Sequence, residues 1–188
     1  HDYSGKEVEI IEDPEVALSD SLNDIDHYAY IFGYEDDTVR PNNDITREEV
    51  ATIFYRLLTD PARDAYFTDK NDFPDVESSR WSNKAISTLS NAGIISGYPE
   101  DGTFRPANPI TRAEFASIVS RFDSLNYNGA DKFNDISGHW AGNFINAASE
   151  KGWINGYPDG SFKPQNNITR AEAITLINNV LNRHVDSE

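Results

Sequence analysis

A mainly α-helical, single compact domain is predicted by three observations. One order of short motifs occurs three times along the chain, helical apolar stripes flank tight Asp- and Gly-rich turns within the copies, and each copy's second helix opens on the same signature, I-T-R-x-E. Thr46, Thr111 and Thr169 mark units roughly 60 residues long, each too small to bury a core alone. The three must share one.

The third copy is the clearest. It reads F-N-D-I-S-G-H-W-A from Phe133, G-W-I-N-G-Y-P-D-G-S-F-K-P from Gly152 and I-T-R-A-E from Ile168. The second copy reads F-P-D-V from Phe73, R-W at Arg80 and Trp81, G-I-I-S-G-Y-P-E-D-G-T-F-R-P from Gly93 and I-T-R-A-E from Ile110. The first keeps D-H-Y from Asp26, G-Y-E-D-D-T-V-R-P from Gly33 and I-T-R-E-E from Ile45.

Within a copy, Ser79 to Ala92 carries Trp81, Ala85, Ile86, Leu89 and Ala92 as a helical stripe, and His139 to Lys151 repeats it with Trp140, Phe144, Ile145 and Ala148. Gly93 and Gly152 stand where a left-handed residue ends a helix. A turn closing on an aromatic and a proline follows, then the second helix, expected to run to about Leu58, Phe122 and Arg183. Thr46 with Glu49, Thr111 with Glu114 and Thr169 with Glu172 are capping boxes, and the preceding Ile can staple onto the first turn. Capping leaves the arginine unexplained. Arg47, Arg112 and Arg170 sit at N1, where the helix dipole disfavours a cation by a few tenths to about 1 kcal/mol; a local rule broken three times marks a candidate site.

The composition bounds the rest. In 188 residues there are 32 acidic and 16 basic side chains, a formal charge of −16 that repels phosphate backbones and argues against a nucleic-acid partner. No run of apolar residues reaches the roughly 18 that a bilayer requires, so membrane insertion is not expected. Zero cysteine excludes a disulfide framework, a thiolate metal site and a cysteine nucleophile. Aromatics at 12% argue against disorder. With no methionine and His1 first, the chain is expected to be a processed product or an excised piece, its targeting signal removed.

The motifs F-x-D, H-W, G-Y-P-D-G-x-F and I-T-R-A-E, in that order between about Asn23 and Arg183, resemble three tandem S-layer homology repeats, the cell-wall anchoring modules of bacterial surface proteins. The resemblance implies a pseudo-threefold arrangement of helix-loop-helix repeats around a central three-helix bundle. It also implies binding, in grooves between repeats, of a secondary cell-wall polysaccharide attached to peptidoglycan, whose terminal sugar often carries a pyruvate ketal. A location in the bacterial cell wall or S-layer, outside the cell, goes with it, as does attachment in the same chain to a larger exported protein. The organisation expected is an acidic strap at 1–22, a degenerate first repeat at 23–60, a connector at 61–72 in which A-R-D-A-Y-F is helical, a second repeat at 73–123, a linker at 124–132 and a third repeat at 133–184. The first repeat lacks its F-x-D and its Trp, and the short step from Tyr28 to Gly33 leaves it about three helical turns short. Glu7 to Leu22 is expected to pack in place of the missing helix.

A ketal carboxylate suits an arginine beside exposed helix N-terminal amides, the guanidinium giving a bidentate fork and the amides further donors. Arg47, Arg112 and Arg170 are therefore candidate ligand-binding residues, with an ion pair to an acidic neighbour as the alternative. Trp81 and Trp140, with Tyr98 and Tyr157, are candidate stacking walls for sugar rings; the alternative for the tryptophans is core packing. Ser96, Gly97, Asn155 and Gly156 allow close backbone approach, although the glycines have turn geometry as their own reason. Asp75 and Asp135 are candidates for sugar hydroxyls, or else caps and turn formers. His27 and His139 read as packing or capping residues, so no metal site and no cofactor is expected.

Two other functions compete. A calcium-dependent protein–protein module is suggested by Asp36-Asp37 and Asp159-Gly160, but neither loop has the alternating acids and distal Glu of an EF-hand. A glycan-cleaving enzyme would need paired carboxylates, which 32 acids supply by chance, while no nucleophile elbow, H-E-x-x-H or phosphate loop is present. Anchoring without catalysis is the expectation.

Overall fold

Backbone hydrogen bonds close the three repeats into a ring. In the computed structural model, which describes residues 20–25, 33, 37–123 and 125–182, the Ile45 N–H donates to Ile168 O at 3.1 Å, Ile168 N–H to Ile110 O at 3.2 Å and Ile110 N–H to Ile45 O at 3.0 Å. The three isoleucines that precede the capping threonines are fully buried at its centre.

From this ring start three helices, α1 (Arg47–Leu57), α4 (Arg112–Phe122) and α6 (Arg170–Val180); between them lie α2 (Asp60–Tyr66), α3 (Asn83–Asn91) and α5 (Gly142–Glu150). The described residues form no β-strand beyond isolated bridges. All three capping boxes are present with both reciprocal bonds, each box stabilising its helix by about 1 kcal/mol. α1, α4 and α6 converge on one apolar core through Phe54, Phe115, Val119, Ala173 and Ile177. Phe54 meets Phe115 and Phe122 with ring centroids 6.0 and 5.2 Å apart. The predicted mainly α, single-domain class is the observed one.

Each first helix packs on the preceding repeat rather than its own: α3 lies against α1, and α5 against α4. His27, Tyr28, Arg183 and residues 7–19 of the expected strap lie outside the described residues. The described residues 20–23 lie against the junction of α1 and α2. Ser21 is fully buried, Asn23 N–H donates to Leu57 O and Thr59 N–H to Ser21 O, both at 2.7 Å, and Leu22 touches the core. The connector is helical as α2, with Pro61 in its first turn where a missing N–H costs nothing.

The starts of α3 and α5 differ from expectation. They begin at Asn83 and Gly142, not at Ser79 and His139, because 77–82 and 136–141 run through successive turns (Arg80 N–H to Glu77 O, His139 N–H to Ile136 O). The tryptophans stand on those turns. Their C-terminal ends match the reading, with Gly93 at φ +71° and Gly152 at φ +75° and the following N–H groups bonded back to Leu89 O and Ala148 O.

Candidate functional site

The N1 arginines reach across the ring, each into the next repeat. Arg47 donates from Nε to Phe104 O (2.8 Å) and from Nη2 to Ser96 O (3.1 Å), and pairs through Nη1 with Glu114 (2.9 Å). Arg112 donates to Phe162 O (2.8 Å) and Asn155 O (2.6 Å). Arg170 donates to Val39 O (2.9 Å) and pairs with Glu49 (2.8 Å). The cation that the helix dipole disfavours is thus held by loop carbonyls and, for Arg47 and Arg170, by the capping glutamate of the next repeat. The ion-pair alternative is realised at both.

The expected free helix amides are not there. The N–H groups of Arg47 and Glu48 donate to Asn108 O and Pro106 O, those of Arg112 and Ala113 to Asn166 O and Pro164 O, and those of Arg170 and Ala171 to Asn43 O and Pro41 O. With the N3 amide taken by the capping threonine, the helix starts offer a carboxylate no exposed donors. The cause is the ring, which docks each helix start on the neighbouring loop.

Asp75 and Asp135 are likewise committed. Asp75 accepts from Phe104 N (2.8 Å) and Arg105 N (2.7 Å), and Asp135 from Phe162 N and Lys163 N (both 2.8 Å). Arg105 and Lys163 have φ of +55° and +56°, a left-handed conformation that costs a non-glycine residue roughly 1 kcal/mol or more. The aspartate clamps that turn, which is the turn-forming alternative. Gly97 and Gly156 have packing reasons of their own: a Cβ on Gly97 would lie 2.7 Å from both the Phe73 ring and Thr103 O, and Phe133 and Ser161 O crowd Gly156 in the same way.

A groove lies open beside α4. A cavity of about 670 Å³ lies along α4 and the loop that follows α3, lined by Arg47, Tyr98, Glu114 and Arg121 together with Trp140 and Gln165 of the third repeat. Trp140 is 59% exposed and Trp81 63%, so neither is a core residue. Trp140 with Tyr98, Ser96 and Gly97 stands at the groove; Asn155, Gly156 and Tyr157 do not line it, and Asn155 and Tyr157 meet Arg112 instead, its guanidinium 5.0 Å from the Tyr157 ring. Trp81 lies apart, in the turn whose Arg80 and Ser82 bond the buried Glu48 (2.8, 2.9 and 2.6 Å).

The electrostatics follow from burial. Glu114 Oε1 accepts the Tyr98 hydroxyl at 2.5 Å and Arg47 at 2.9 Å, while Oε2 takes the Thr111 N–H at 3.0 Å. Burial first, then the bond to Glu114, pushes the Tyr98 phenol up to about 12. Burial also lowers the guanidinium pKa of Arg112 and of Arg121, the latter a groove residue that the motifs did not single out. The Asp-rich turns are tied by their own side chains: Asp101 Oδ1 accepts from the N–H and hydroxyl of Thr103, and Asp159 Oδ1 from those of Ser161. Among the described residues no three His, Asp or Glu side chains converge as a metal site, and no helix is long and apolar enough to cross a membrane. His139 Nδ1 accepts the Ala141 N–H at 3.1 Å, a capping contact.

Comparison with known proteins agrees with this architecture. The family model for the S-layer homology domain matches residues 27–51, 72–116 and 132–174. Cell surface glycoprotein 1 of Acetivibrio thermocellus is 41% identical over 84% of this chain, and the cellulosome-anchoring protein of the same organism 39% over 92%. S-layer protein EA1 of Bacillus anthracis is 31% identical over 84%. The matches span 7%, 40% and 18% of those relatives' lengths. This is a module of the cell surface, associated with the wall, and its coarse role is to anchor surface proteins there. With three matched segments at the three capped repeats, the chain belongs to the S-layer homology domain family.

Proposed function

We propose that the chain anchors a larger exported protein by binding a secondary cell-wall polysaccharide, through its pyruvylated terminal sugar, in the groove along α4 and the loop after α3. The observation that carries this is the groove itself: about 670 Å³, of the size that encloses a small ligand, with an exposed tryptophan and a tyrosine in its lining. An exposed indole costs solvation unless a ring covers it, and the flat apolar face of a pyranose suits it. The role of Arg47 is to fix the loop that shapes this groove, while its charge is spent on Glu114. The reading is of binding without turnover.

Co-sedimentation with purified cell-wall sacculi tests it, before and after chemical removal of the secondary polymer, for the native chain and Trp140→Ala. Trp140 is largely exposed, so the variant is expected to fold. Binding should vanish on stripped sacculi and weaken roughly tenfold or more for the variant; equal binding to stripped sacculi would overturn the reading and favour a protein partner.

A further inference from the structure

Arg121, on the last turn of α4, lines the groove as a second cation besides Arg47. It is half-buried, donates from Nη1 to Ile94 O (3.2 Å) and Ser96 Oγ (3.5 Å), and lies 5.5 Å from the Phe144 ring. All three partners are neutral. The other lining charges are committed, Arg47 to Glu114 and Glu100 to Arg105 (3.2 Å), and among the described residues no carboxylate pairs with Arg121. Its Nε and Nη2 have no protein acceptor there either, and those two donors are one side of the guanidinium fork.

A structural role does not require this charge. Asn179 of α6 stands as far after Arg170 as Arg121 does after Arg112, and Trp153 follows Gly152 as Ile94 follows Gly93. In that repeat Asn179 Nδ2 donates to Trp153 O at 3.4 Å, so a neutral amide makes the bond that Arg121 makes. Helix-dipole stabilisation is worth a few tenths to about 1 kcal/mol in the last turn, and α6 has no basic residue in its last turn at all. What remains is a desolvated positive charge aimed into an open groove of a strongly acidic chain.

We propose that Arg121 is a specificity-determining residue of this groove, receiving the carboxylate of an acidic sugar while Trp140 covers the ring. The inference rests on the glycan-binding reading above. It assigns anion recognition to the end of α4, not to the N1 arginine, because Arg47 is already neutralised.

Calorimetric titration of the whole chain and of Arg121→Asn with three preparations of wall polysaccharide tests it: intact, freed of ketal by mild acid, and with all carboxyls reduced. Asparagine is chosen because Asn179 shows that it suits the local bond; Arg121→Gln replaces it if the thermal midpoint falls. The variant should bind intact glycan roughly ten- to a hundredfold more weakly and match the native chain on the fully reduced glycan. A loss that disappears with the ketal identifies the ketal as the carboxylate, and one that persists until reduction identifies a uronate; both support the proposal. Equal affinity of the two proteins for intact glycan, or an equal loss on reduced glycan, overturns it and leaves the glycan reading standing. No affinity of the native chain for intact glycan overturns both.

Discussion

The surroundings of Arg47 and of Arg112 are built from the same letters and differ in charge. Both arginines follow a capping threonine, both donate to the carbonyl of the loop phenylalanine, and both face a G-Y-P turn. At Arg47 the next repeat's capping glutamate turns inward to bind the guanidinium and the tyrosine hydroxyl, all largely buried. At Arg112 the corresponding Glu172 stays exposed, bonds only its own cap, and acts on the arginine at longer range. One motif therefore yields a neutral, rigid corner in one place and a half-buried cation in the other. What differs is whether the partner carboxylate is drawn out of water with it.

Removing each arginine gives the largest expected separation. Arg47→Ala strands Glu114 beside two unsatisfied carbonyls and should cost about 3–5 kcal/mol. Arg112→Ala removes two hydrogen bonds and strands no buried charge, so about 1–3 kcal/mol is expected. Urea unfolding of both variants measures the gap; equal losses would show that Glu172 pairs with Arg112 in solution as closely as Glu114 does with Arg47.

The glutamates sharpen the same contrast from the other side. Glu114→Gln keeps an acceptor for the Thr111 N–H but removes the charge that Arg47 and Tyr98 share, and should cost about 1–3 kcal/mol. Glu172→Gln changes an exposed cap and should stay within about 0.5 kcal/mol. A large effect at Glu172 would erase the distinction between the two corners.

Tyr98 carries the contrast into pH. Its folded value lies above the ordinary 10.0, at about 12, so the folded state holds the phenol proton where the unfolded chain has lost it. That contribution is fully present below pH 10 and is lost as pH rises toward about 12. Unfolding midpoints should therefore fall across this window for the native chain and fall less for Tyr98→Phe. An unchanged slope in the variant would mean that the hydroxyl is open to water.

Much of this architecture was legible because it is local. The capping boxes and the closing glycines depend on residues within one turn, and they stand where I-T-R-x-E, Gly93 and Gly152 put them. The tryptophans were harder, since helical spacing cannot tell a stripe's first residue from the turn before it, and Trp81 and Trp140 lie on the turn side. Least legible was the ring. Asn43, Asn108 and Asn166 recur two residues after each loop proline, a repeat visible in sequence, yet nothing local says that their carbonyls cap the helix of another repeat. Arg121 was missed for the opposite reason: a basic residue in a helix's last turn has a sufficient local explanation, and only Asn179 shows that explanation to be incomplete.

The smallest effect is expected where the two repeats differ by one loop residue. Asp101 is held near 2 against an ordinary 3.8, first by the Thr103 hydroxyl, then by the Thr103 N–H and by Arg105; Asp159 is lowered by the Ser161 hydroxyl and N–H, with Lys163 acting only at longer range. A depressed folded value means stability present above 3.8 and lost as pH falls toward about 2. Both side chains face water, so solvent screens most of the gain and the midpoint shift should be slight in each case. The order is still testable. Arg105 bonds Asp101 at 3.0 Å, whereas Lys163 makes no ion pair with Asp159 among the described residues, so Asp101 should titrate lower by carboxyl NMR and respond more to added salt. If Arg105→Gln leaves the Asp101 titration where it was, the threonine alone sets that carboxylate.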